Sequence, residues 1–142
     1  MVEKDVFEFS SLEQLKGLET MFGLQFENLV LENLPILFPM LGLEESLVLS
    51  AAPYFQRQTA DREMCQIDLM IQTQRMLMVV EIKRRREIGH EVIDEVDEKI
   101  KRLRFASSLS LRTALVYDGK LSPSVAAERY FDFLIPADRF FA

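Results

Sequence analysis

The sequence predicts an α/β domain with a mixed sheet, and three observations predict it. Apolar residues recur at helical spacing over 19–34 and again over 89–106. Between these segments lie three runs of strand composition, at 46–57, 66–72 and 76–83. Another such run, "RTALVYD" (112–118), follows the second helical segment, so the order is helix, three strands, helix, strand.

Residues 1–18 read as a peripheral, acidic segment with a cap and short helix at "SSLEQLKGL". Residues 19–142 form the expected domain. In "ETMFGLQFENLVLENL", Phe22, Phe26, Leu29, Val30 and Asn33 share a face, and Pro35 and Pro39 are expected to disturb or end that helix. "SLVLSAAPYFQR" reads as a strand whose Pro53 signals an edge or a bulge. The helix in "GHEVIDEVDEKIKRLRFA" has a stripe of Val92, Val96, Ile100 and Leu103. Its acids lie early and its bases late, as the helix dipole favours. "DGK" is expected to close the next strand in a turn. Ser122 is expected to cap a helix over 122–130, and "FDFLIP" to form a last strand. The terminal "RFFA" suggests docking onto the domain or a partner.

At 142 residues the chain can hold one domain with a real core. With one cysteine, Cys65, no internal disulfide forms; together with the absence of a membrane-length apolar run or a secretory pattern, this favours the cytoplasm. The net charge of −6 argues against nucleic acid, but its distribution does not. Residues 1–60 hold three basic and nine acidic residues, whereas 61–104 hold ten of each, with bases gathered in "KRRR" (83–86) and "KIKRLR" (99–104). A solvated helix face explains such runs as well as a nucleic-acid surface does.

The chemistry concentrates in "CQIDLMIQTQRMLMVVEIKRR" (65–85), where Asp68, Glu81 and Lys83 interrupt apolar strands. A hairpin turning at Gln74–Arg75 would put Asp68 opposite Glu81, with Cβ atoms about 5 Å apart, a destabilising like-charge pair. Gln-Arg is a poor two-residue turn, so a longer loop and a shifted register are expected. Two converging carboxylates invite Mg²⁺ or Mn²⁺, and a lysine beside them suits phosphodiester hydrolysis. Acid-x-Lys occurs three times, at Glu81–Lys83, Asp97–Lys99 and Asp118–Lys120, but only the first ends an apolar strand preceded by another strand with an embedded acid. A structural ion-pair cluster is the plain alternative, and Glu27 read alone is a surface acid. His90 reads as a cap or a solvated side chain, and Cys65 as a small packed residue.

On "GLQFENLV" and "EIKRRREIGHEVIDEVDEKIKRL" the sequence resembles the PD-(D/E)XK nuclease superfamily, over roughly Gly23 to Tyr117. More specifically, it is similar to the nuclease-like C-terminal domain of archaeal-type AAA+ ATPases. The resemblance implies a restriction-endonuclease-like fold, a mixed sheet with an αβββαβ core flanked by helices. It implies a metal on Asp68 and Glu81 with the Ile82 carbonyl completing the set. Lys83 would be catalytic, Glu27 would hold metal-bound water or a second metal, and Glu95 is a less secure match. Two departures stand out: no proline precedes Asp68, and there is no P-loop.

The resulting expectation is a Mg²⁺- or Mn²⁺-dependent nuclease acting on DNA, with Arg84, Arg85 and Arg86 on the nucleic acid. A DNA or ATPase partner and an oligomer are compatible with it; a membrane is not expected. The rival is an inactive module that keeps the fold to bind nucleic acid or protein beside an ATPase.

Overall fold

A computed structural model describes residues 11–140. Its first helix, α1, spans Ser11–Leu31, so the short helix and the longer one expected from Glu19 are a single element. The cap expected at Ser10 lies outside the described residues, as do Phe141 and Ala142 of the terminal "RFFA". Within α1 only Phe26 and Val30 of the expected stripe are buried, and Phe22 is 40% exposed. Asn33 ends the helix, donating its side-chain amide to the Leu29 carbonyl at 2.7 Å. Helix α2, Leu34–Met40, begins at once with Pro35 in its first turn, where a missing N–H costs nothing. Pro35 therefore starts a helix as another ends, and Pro39 lies inside α2.

A 3₁₀ turn at Glu45–Leu47 leads into β1, Ser50–Gln56. Then come β2, Cys65–Gln72; β3, Met76–Ile88; α3, Glu91–Arg102; and β4, Ser110–Leu121. Helix α4, Pro123–Ala127, β5, Phe133–Pro136, and α5, Ala137–Phe140, complete the order. The five strands lie side by side in sequence order. β1, β2 and β3 are antiparallel neighbours, whereas β3, β4 and β5 run parallel. A parallel pair needs a crossover, and α3 supplies the one from β3 to β4. This is the expected mixed sheet with an αβββαβ core flanked by helices.

Two apolar layers cover the sheet. Phe26, Val30, Leu37 and Phe38 pack with Leu69, Ile71, Met78, Val80 and Ile82 on one face, and Phe140 joins them there. Val92, Val96 and Leu103 of the α3 region pack with Ile67, Leu77, Val79 and Leu115 on the other. Among the described residues no helix is long and apolar enough to cross a membrane.

The β2–β3 register corrects one expectation. Leu69 pairs Val80 and Gln72 pairs Leu77, the unshifted alignment about a two-residue Gln74–Arg75 turn. The Thr73 N–H closes that turn onto the Met76 carbonyl at 2.9 Å, so no longer loop forms. Neither turn residue takes a positive φ, so the favoured primed turns are not used. The Arg75 carbonyl instead accepts the Ser110 N–H at 2.9 Å, tying the turn to β4.

Expectations at and just after β4 need correction. The strand runs through "DGK" instead of turning there. A Cβ on Gly119 would meet the Arg85 carbonyl oxygen at 1.7 Å, so glycine at φ +140° lets β4 pass close beside a bulge in β3. Helix α4 is only five residues long; Ser122 stands at its N-cap with Pro123 first, as expected, but the Ser122 hydroxyl contacts Ser124 Oγ and makes no cap bond.

Candidate functional site

Asp68 stands where the sheet opens. Ala52 pairs Met70 but Tyr54 pairs Ile67, so Pro53 alone faces both Asp68 and Leu69. Proline has no N–H to give, and the resulting bulge lies beside the acid. Regular β2–β3 pairing stops at Leu69–Val80. Beyond it the Ile82 N–H donates to the Asp68 carboxylate at 2.9 Å, a side chain taking the place of a ladder partner. The Ile82 carbonyl lies on the same edge of β3 as that N–H, so it faces the same opening.

Glu81 is 2% exposed and is the most buried charged side chain of the sheet. Burial, a hydrogen bond with the Asp68 carboxyl and the Asp68 charge push it up to about 7, against the pull of Lys99. Asp68 and Glu81 thus meet just past the last regular β2–β3 pair, Leu69–Val80. Lys99 of α3 reaches Glu81 with its ammonium at 2.8 and 3.3 Å. Burial alone would lower the Lys99 pKa, but the Glu81, Asp68 and Glu95 charges outweigh it and raise it. Glu27 approaches from α1, where burial and then the Asp68 charge raise its pKa. The inner site therefore holds three acids, Asp68, Glu81 and Glu27, and one ammonium, Lys99.

Lys83 lies on the Glu81 face but points along α3 to Glu95, at 2.8 Å. Arg85 also meets Glu95, at 3.2 Å, and Glu91 at 3.6 Å. Burial works against the Glu95 carboxylate, yet these cations lower its pKa. The result is an alternating square: Glu81 and Lys83 on the strand cross-pair with Lys99 and Glu95 on the helix.

The three arginines do not form one surface. Arg85 turns to α3, while Arg84 pairs Asp118 at 3.1 Å and lies over the Phe22 ring of α1 at 5.0 Å. Arg86 is exposed. All three nevertheless line a groove of about 380 Å³ with Leu18, Glu19 and Phe22. His90 is surface-exposed and pairs with Glu128, which raises its pKa.

Sequence reasoning missed two residues, Lys99 and Gln56, and one contact of the packed Cys65. Lys99 occupies the buried flank of α3, at helical spacing with Val92, Val96 and Leu103, and a lysine in that stripe is the signal. Gln56, 2% exposed, donates to the Glu63 and Arg102 carbonyls at 2.8 and 2.7 Å and accepts the Arg104 N–H at 3.1 Å. The Cys65 thiol donates to the Lys99 carbonyl at 3.2 Å. Gln56 satisfies the Arg102 carbonyl that the end of α3 leaves without a helical partner, and the Cys65 thiol adds a second donor to the Lys99 carbonyl, which also accepts the Leu103 N–H at 3.1 Å. Those two cations share a cleft of about 330 Å³ with Cys65, Gln66 and Asp68.

Among the described residues no group of three or more His, Cys, Asp or Glu side chains is gathered closely enough to form a ready-made metal cluster. The available donors are two carboxyls and a carbonyl, all oxygen, which is the set Mg²⁺ and Mn²⁺ accept with retained waters. These few oxygen donors fit a divalent cation that keeps most of its ligands as water.

No family model matches the chain, and no curated protein matches its sequence. Among solved structures it is similar to the crystal structure of a repair endonuclease from Pyrococcus abyssi. The TM-score is 0.47 at 16% identity, over 76% of this chain and 42% of that one. The chain thus corresponds to less than half the length of that protein.

Proposed function

We propose that the protein is a divalent-metal-dependent nuclease that hydrolyses phosphodiester bonds, with DNA as substrate. The observation that carries this reading is the meeting of Asp68 with the buried Glu81 at the sheet opening, beside a cleft that presents Lys99 and Arg102. Asp68, Glu81 and the Ile82 carbonyl would hold Mg²⁺ or Mn²⁺. When bound, the ion would supply positive charge to the phosphate and a water of lowered pKa. Lys83, aligned by Glu95, would stabilise negative charge that grows on the phosphate as water adds and the P–O bond breaks. Glu27 would hold water from the α1 side. Arg84 to Arg86 would contact flanking phosphates around the Phe22 groove.

Cleavage of supercoiled, linear and branched DNA in Mg²⁺ or Mn²⁺ tests this. Asp68→Asn should abolish cutting, and Lys83→Ala should reduce it by about 10²–10³-fold with the fold and DNA affinity retained. Wild-type protein that cuts none of these substrates would sink the nuclease reading.

The charge square supports a second reading. Because Glu81–Lys99 and Lys83–Glu95 satisfy one another without an ion, the same fold would serve as a non-cutting module for nucleic acid or an ATPase partner. DNA binding without cleavage, weakened by reversing Arg84 or Arg86 to Glu, would favour the module.

A further inference from the structure

The Glu81 carboxylate has two claimants. Both of its oxygens lie within reach of the Lys99 ammonium, at 2.8 and 3.3 Å, and the same oxygens are the deepest donors available to a divalent cation. A carboxylate engaged by an ammonium on both oxygens is a poorer ligand, and two cations on one carboxylate repel each other.

Lys99 also has somewhere to go. Its side chain is 30% exposed although Glu81 is 2% exposed, and it lines the cleft that holds Asp68 and Arg102. The backbone beneath it is fixed, through the Cys65 thiol on its own carbonyl and Gln56 on the next turn. Any movement therefore belongs to the side chain, whose four-carbon stem can carry the ammonium from Glu81 into the cleft. Lys83 is engaged elsewhere, on Glu95, which Arg85 also meets.

Resting on the nuclease reading above, we propose that Lys99 is an exchangeable counter-ion. It occupies Glu81 in the metal-free protein, yields that carboxylate to the divalent cation, and then stands in the cleft beside Arg102 as a phosphate contact. The metal-free site is thereby kept neutral enough to fold, and a phosphate-binding cation is presented only once the metal has arrived. Lys99 is a positioning residue in the first state and a substrate contact in the second.

The test uses Mn²⁺ alone, at pH 8, by calorimetry. Wild type should bind Mn²⁺, Asp68→Asn should lose it, and Lys99→Met should bind about tenfold more tightly because its competitor is gone. Equal affinity in wild type and Lys99→Met, with both abolished by Asp68→Asn, would overturn the exchange and leave the metal site standing. No Mn²⁺ binding in either protein would overturn both. Should Lys99→Met fail to fold, NMR of the wild type with ¹³C-labelled lysines decides. On titration with Mg²⁺ the Lys99 Cε signal should shift saturably more than that of Lys83. A Lys99 signal that stays in place while Mg²⁺ binds would reject the exchange.

Discussion

Two ion pairs share the strand β3 and the helix α3, two residues apart on the strand and one turn apart on the helix, yet they live in different media. Glu81–Lys99 has an acid that is 2% exposed, whereas Lys83–Glu95 is 18% and 36% exposed. The separations are the same, 2.8 Å in each. What differs is water. At the outer pair, solvent and salt screen the charges, so the pair is worth little. At the inner pair desolvation makes the acid costly, and the ammonium becomes something Glu81 depends on. The same pair of residue types, placed with its acid deeper, leaves that acid dependent on the ammonium or on a proton.

Removing each lysine should break that equivalence most visibly. Lys99→Ala should cost about 3 kcal/mol of unfolding free energy at pH 8 by urea denaturation, because an ionised acid is left buried. Lys83→Ala should cost less than about 1 kcal/mol in the same assay. Similar costs for the two would mean that Glu81 is solvated after all.

Next in size is the response to pH. The folded pKa of Glu81 lies above its ordinary 4.5, near 7, so the native state retains a proton that the unfolded chain has lost between those values. The sign follows: this contribution is full below pH 4.5 and is lost as pH rises through 7. Measured without divalent metal, wild type should lose up to about 3 kcal/mol relative to Glu81→Gln over that range. Parallel pH profiles would contradict the burial of the charge. Glu95, whose pKa is lowered, has the opposite dependence, losing its contribution as the solution becomes more acidic.

Salt gives the smallest and most discriminating effect. Double-mutant cycles at about 0.05 and 1 M NaCl should show the Lys83–Glu95 coupling, under about 1 kcal/mol, largely erased by salt. The Lys99–Glu81 coupling should change little. Equal salt sensitivity would place both pairs in solvent.

Most of the fold was legible because its signals are local. Strand composition, the amphipathic stripe of α3 and Pro53 each report on their own neighbourhood, and the structure places a mixed sheet, a crossover helix and an edge strand facing a bulge of β2 there. The acid pair followed from counting along the hairpin. The turn was misjudged because Ser110, from a distant strand, holds the Arg75 carbonyl, a tertiary contact that turn preferences cannot see. Continuation of β4 through "DGK" failed as an expectation for the same reason, since the close approach of Arg85 is what uses Gly119. The arginines of "KRRR" were adjacent in sequence, but strand alternation turns Arg84 and Arg85 to opposite helices. Lys99 was visible in the apolar stripe of α3 and was masked by its membership of a charged run.

The hairpin that joins β2 to β3 closes over a two-residue turn, whereas Lys99 lies 18 positions beyond Glu81, on the crossover helix. Local contacts form early in folding and distant ones late, because the longer loop loses more chain entropy before it is rewarded. The hairpin alone can bring the two acids together, whereas Lys99 reaches them only when α3 is docked. Until α3 docks, the nascent hairpin carries an uncompensated repulsion at the point where its backbone ladder ends. The cost of bringing Asp68 and Glu81 together thus falls on the hairpin, while the ammonium that offsets part of it is held by a separate element, α3.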